Sequence, residues 1–66
     1  MAIIKVIEVL ANSEKSWEDA TNNAIKHASK TVKNIRSAYV AEHSVTVDNN
    51  QVSQYRVNLK ISFQID

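Results

Sequence analysis

The sequence predicts an α+β subunit of order β-α-β-β, with a three-stranded antiparallel sheet in strand order 1-3-2 wrapped on a single helix. Three observations carry this. The segment 2–10 is rich in β-branched residues, the segment from Trp17 onward has a helical apolar stripe, and residues 55–65 alternate apolar and polar without a break.

The first strand spans Ala2 to Leu10. Ile3, Ile7 and Val9 fall on one face, and Ile4, Val6 and Leu10 on the other, so the strand needs cover on both sides. Ala11 to Lys15 read as a polar connection. Ser16-Trp17-Glu18-Asp19 then matches a capping box, and its acids suit the positive end of a helix dipole. Trp17, Ala20, Thr21, Ala24, Ile25, Ala28, Val32 and Ile35 recur at three- and four-residue spacing, giving a helix that runs to about Lys33. Lys26, His27, Lys30 and Lys33 complement its negative end.

The second strand spans Ile35 to Val47. Its apolar residues change phase, from even positions (Ala38, Val40) to odd ones (Val45, Val47), which predicts a β-bulge between Ala41 and Ser44. Asp48-Asn49-Asn50-Gln51 is the hairpin turn. The chain has no glycine, so asparagine must supply the left-handed backbone there. In the third strand Tyr55, Val57, Leu59, Ile61, Phe63 and Ile65 form an oily face and Gln54, Arg56, Asn58, Lys60, Ser62 and Gln64 a polar one. A helix returns the chain between strands one and two. Placing strand three between them makes each neighbouring pair antiparallel.

Lengths then argue for association. A helix from Trp17 to Lys33 spans about 25 Å, whereas a strand from Val52 to Ile65 spans about 45 Å. One helix cannot shield that strand, and a second copy of the chain is the economical cover. Composition agrees. At 66 residues the chain makes one domain, 1–66, and a core this small seldom supplies more than about 3–5 kcal/mol alone. Absence of cysteine excludes disulfides and thiolate metal sites, and suits a cytoplasmic protein. The charged residues near the N-terminus speak against a secretory or membrane-spanning segment. A net charge of +1 advertises no nucleic-acid partner, and the lack of glycine excludes Gly-dependent phosphate loops.

No nucleophile–base–orienter set is visible, so no enzyme is expected and no catalytic residue is assigned. Asp48-Asn49-Asn50 lacks the spacing, glycine and closing glutamate of a calcium loop and reads as a plain turn. The scattered carboxylates Glu8, Glu14, Glu42, Asp48 and Asp66 converge on a cation only through symmetry, and no metal ligand is assigned. His27 reads as a surface residue, and Trp17 as a hydrophobic anchor at the helix start. His43, beside the expected bulge, is placed to reach a ligand or a neighbouring subunit.

Taken together, Lys5-Val-Ile-Glu8, Ser13, Ser16-Trp-Glu-Asp-Ala20, Ala24-Ile25, Thr31-Val32, Val45-Thr-Val-Asp48 and Tyr55-Arg-Val-Asn-Leu-Lys-Ile-Ser-Phe63 resemble the dodecin family over nearly the whole chain. The resemblance implies a hollow homododecamer with helices outward and sheets lining the interior, storing flavins (riboflavin or FMN) in pairs at subunit interfaces. Some members are described as binding coenzyme A or calcium. It also implies the ligand positions. The tryptophan that stacks on the flavin ring is matched by Ser37, the glutamine at the ring edge by Arg56, and the acid at the ribityl chain by Glu42. The stacking platform is therefore missing. Ser16-Trp-Glu, Ile35-Arg36 and Val47-Asp48 look closer to the tryptophan-less, calcium-dodecin-like branch. Arg36 and Arg56 could receive an anionic group, or join Glu42 in an interface ion-pair network. The functions expected are thus a small-ligand storage shell with a degraded flavin site or, alternatively, a calcium-binding or purely structural shell.

Overall fold

A computed structural model describes residues 3–65. The elements are β1 (Ile3–Ser13), α1 (Trp17–Ala28), β2 (Ile35–Asp48) and β3 (Gln51–Ile65). The sheet has the order β1-β3-β2, with both pairings antiparallel, as expected. Asp66 and Ala2, the expected start of the first strand, lie outside the described residues.

The helix start explains why β1 runs past Leu10. Ser16 sits in extended backbone, and its Oγ accepts from the Asp19 N–H at 2.9 Å. The reciprocal half of the expected box is rerouted. The Asp19 carboxylate instead accepts from Ser13 Oγ at 2.6 Å and Asn23 Nδ2 at 3.1 Å. Ser13 Oγ in turn accepts from the Lys15 and Ser16 N–H groups. This net buries Ser13 at the end of β1, opposite Tyr55 of β3, so Ala11 to Ser13 are strand rather than connection.

The helix ends at Ala28, not near Lys33. Ser29 turns its hydroxyl back to donate to the Lys26 carbonyl at 2.8 Å, and the N–H groups of Thr31 and Val32 both converge on the Ala28 carbonyl. A hydroxyl that captures a helix carbonyl, followed by two β-branched residues, favours stopping over continuing. Asn34, at φ 63°, then swings the chain into β2. Only Lys26 and His27 remain in the last turn; Lys30 and Lys33 lie beyond it. At 12 residues the helix is about 18 Å long, against a molecule 51 Å in its longest dimension. The mismatch in length is larger than the sequence suggested.

The hairpin turn is Asn49-Asn50, at φ 51° and 61°. Two successive left-handed residues make the turn whose twist matches the flanking strands. The expected bulge falls at Ala41, at the near limit of its predicted window. Val40 pairs with Leu59 and Glu42 with Asn58, leaving Ala41 extra. Two further shifts were not foreseen, at Arg36 in β2 and near Ser53 in β3.

The core is small. Ala20 of α1 and Val57, Leu59 and Ile61 of β3 are fully buried, with Ile7, Val9, Ala11, Ala24, Ile25, Ala28 and Ile35 packed around them. The helix rests on β1 and β3 and leaves β2 almost entirely exposed. On the far side of the sheet, Ile4, Val6 and Leu10 of β1 are exposed as well. The double-sided oiliness read from β1 is therefore real, and one subunit covers only half of it.

Candidate functional site

Strand pairing sorts the side chains onto two faces, since residues directly opposite share a face and neighbours along a strand alternate. On the face away from the helix, Val6–Ser62–Ser37, Glu8–Lys60–Tyr39, Leu10–Asn58–Glu42 and Asn12–Arg56–Ser44 form four rows running β1 to β3 to β2. Ser37, Glu42 and Arg56, three separate positions in the sequence, are thereby gathered on one surface. Arg36 joins them through its bulge. It has no partner in the ladder, and its Nε donates to Oε1 of Gln64, which lies on the same face, at 3.3 Å.

The Ala41 bulge makes this gathering possible. Without the extra residue, Glu42 and Ser37 would have opposite parity and point to opposite sides of the sheet. With it, Glu42 comes to lie beside Arg56 as a diagonal neighbour.

Each position has its own chemistry. Ser37 and Ser62 share a short hydroxyl–hydroxyl hydrogen bond, and Ser62 Oγ also donates toward the Ser37 carbonyl at 3.3 Å. This is a small polar pair, with no ring to stack on. Tyr39, two residues along on the same face, is 59% exposed. It is the aromatic nearest in sequence to Ser37 on that surface, and its alternation with Ser37 was available in the sequence although only the register gave it meaning. Arg56 is half-buried, and its Nε is covered without a hydrogen-bond partner.

Trp17 lies on the other side of the sheet. Its indole N–H donates to the Ser44 carbonyl at 3.0 Å, and its ring meets His43 and Tyr55 edge-on, at centroid distances of 4.9 and 5.1 Å. It is an anchor of the helix start on the β2–β3 hairpin and does not reach the face that carries Ser37, Glu42 and Arg56. His43 therefore serves Trp17 rather than the surface that holds Glu42. Beside this cluster, Val40, Thr21 and Glu18 help line a groove of about 440 Å³. A second groove, of about 580 Å³, opens between the helix and β1 beside His27. Among the described residues no three His, Asp or Glu side chains are grouped as for a metal ion. Among the described residues no helix is long and apolar enough to cross a membrane.

A short helix cradled by a long, three-stranded antiparallel sheet of order β1-β3-β2, with a polar face on the side away from the helix, defines the class as a small β-α-β-β, dodecin-like fold. The dodecin family model matches residues 3–66, and the chain belongs to the dodecin family. It is 37% identical over 65 residues to calcium dodecin of Mycobacterium tuberculosis, covering 98% of this chain and 92% of that relative. The crystal structure of that organism's calcium dodecin, described as calcium-chelating with a calcium-binding site, aligns with a TM-score of 0.85 at 35% identity, over 97% of this chain and 91% of the other. Dodecin from Streptomyces coelicolor aligns with a TM-score of 0.94 at 26% identity, over 98% and 93%.

Proposed function

We propose that the chain is the subunit of a hollow homododecamer that binds and stores a small ligand on the sheet face away from its helix. It binds the ligand and does not transform it. The observation that carries this reading is the convergence of Arg36, Ser37, Glu42 and Arg56 on that single face by strand pairing and two bulges. The family ligand is a flavin, riboflavin or FMN. In this chain Arg56 and Arg36 would meet an anionic or carbonyl edge, and Glu42 would accept from ligand hydroxyls. Ser37 offers no aromatic platform, so affinity for flavin is expected to be weak.

Similarity to a relative named calcium dodecin favours a second reading, in which the shell binds calcium. Since no acidic cluster forms within the described residues of one chain, the ion would take carboxylates from several copies around an axis, where calcium's six to eight oxygens can be assembled. Light scattering with an absorbance spectrum of the same peak tests the shell and any flavin that travels with it. Titration with riboflavin should quench its fluorescence; no quenching across a wide range removes the flavin reading. Calcium should raise the melting temperature and a chelator lower it; identical melts remove the calcium reading.

A further inference from the structure

One large ring stands on the polar side of the sheet. Phe63 and Tyr55 lie on the helix side, in the rows Lys5–Phe63–Ile35 and Ser13–Tyr55–Val45, and Trp17 packs there against Tyr55. Tyr39 is the sole aromatic on the other face among the described residues, and it is 59% exposed. Packing within the chain does not account for it. Its directly opposite neighbour is Lys60, a polar residue of β3.

The rows on either side of Tyr39 define what can lie on it. One row carries the hydroxyls of Ser37 and Ser62; the other carries the Glu42 carboxylate and the Asn58 amide. Donors and acceptors therefore flank the ring on both sides. A planar heteroaromatic fits this arrangement, because it has an apolar face to stack and polar groups around its rim. A sugar or a free phosphate would use the flanking groups and leave the ring idle. An aliphatic chain would cover the ring and leave the flanking groups unpaired. Lys60 does not claim the ring for itself. Glu8 stands on its other side, an opposite charge in register, and an ammonium set between a carboxylate and a phenol ring turns to the carboxylate.

We infer that Tyr39 is the stacking platform of this face, and that a planar heteroaromatic ring lies over it with its edges toward the Ser37–Ser62 and Glu42–Asn58 pairs. The inference rests on the small-ligand reading above and adds the residue on which the ligand ring lies. It places that ring two residues along β2 from Ser37, a displacement of about 7 Å.

Substitution at Tyr39 tests this on the assembled protein, with riboflavin as the probe and ribitol as its ringless counterpart. Calorimetry reads affinity, and the fluorescence of bound riboflavin at saturation reads stacking. Tyr39→Phe should bind riboflavin within about twofold of the wild type. Tyr39→Leu should bind about three- to tenfold more weakly and leave the bound riboflavin brighter. Tyr39→Trp, with its larger ring, should bind more tightly than the wild type, a gain that a role in folding or in subunit contact would not produce. Ribitol should give no measurable heat of binding. Circular dichroism and light scattering check the fold and mass of each variant. A Tyr39→Leu variant that binds riboflavin like the wild type overturns the inference. So does one whose mass falls, since that makes Tyr39 a subunit contact, and so does ribitol binding as well as riboflavin. A wild type that binds no riboflavin removes the flavin reading and the platform together, a result distinct from a binding wild type with indifferent Tyr39 variants.

Discussion

Replacing Trp17 tests how the short helix is held on a long sheet. Full truncation of a buried Phe or Trp to Ala costs about 3–5 kcal/mol. Trp17 is 36% exposed, so roughly two-thirds of that range applies, and Trp17→Ala should cost about 2–3 kcal/mol. The two edge-on ring contacts, to His43 and Tyr55, make up part of it, at about 0.5–1.5 kcal/mol for each aromatic pair. Trp17→Phe keeps a ring and loses only the indole N–H bond to the Ser44 carbonyl. Ser44 is exposed, so water can replace that donor, and the cost should stay at or below about 1 kcal/mol. Urea denaturation at a fixed protein concentration reads both values, since an assembling protein's stability depends on its concentration. A Trp17→Phe variant as unstable as Trp17→Ala, or a Trp17→Ala variant within about 0.5 kcal/mol of the wild type, would refute packing as the source.

Three other outcomes follow from the same geometry. Asn50→Ala should destabilise by about 1–2 kcal/mol because a Cβ without a compensating side-chain bond is forced left-handed, whereas Asn50→Gly should be neutral or better; equal denaturation midpoints for the two would remove the turn argument. Leu10→Ser should raise the concentration at which the assembly half-dissociates by about fivefold or more, since the exposed half of the side chain is worth about 1 kcal/mol on association; sedimentation at several loadings checks this, and an unchanged profile means that Leu10 stays uncovered. Ser37→Trp should tighten riboflavin binding about tenfold by restoring a stacking surface, and an unchanged quenching curve would place the ligand elsewhere.

Several features of this protein were legible in the residues alone because they are local. Unbroken alternation from Tyr55 to Ile65 makes a strand wherever it lies, and Ser16 before an apolar stripe starts a helix whatever it packs on. Two asparagines in a glycine-free turn had to go left-handed, and they do. A phase change in the apolar pattern exposed the Ala41 bulge, because parity along a strand is visible without knowing the partner. The mismatch between one short helix and one long strand could be read as well, and the structure shows it in the exposed Ile4, Val6 and Leu10. The helix end was misread because Val32 and Ile35 keep the stripe's spacing after Ser29 has already closed the last turn.

Other features belonged to the tertiary structure. Whether Ser37, Glu42 and Arg56 share a surface depends on the pairing of β2 with β3, and one inserted residue exchanges the faces. The sequence placed His43 beside a bulge but could not show that it would turn toward Trp17, at the far-off start of the helix, and away from Glu42. The bulges at Arg36 and Ser53 do shift the apolar parity, between Ile35 and Ala38 and between Val52 and Tyr55, but only one apolar residue lies beyond each shift, too short a run to fix a phase. Periodicity is a property of one segment, and the sequence states it directly. Register is a relation between segments, decided only when the core of Val57, Leu59 and Ile61 closes under the helix.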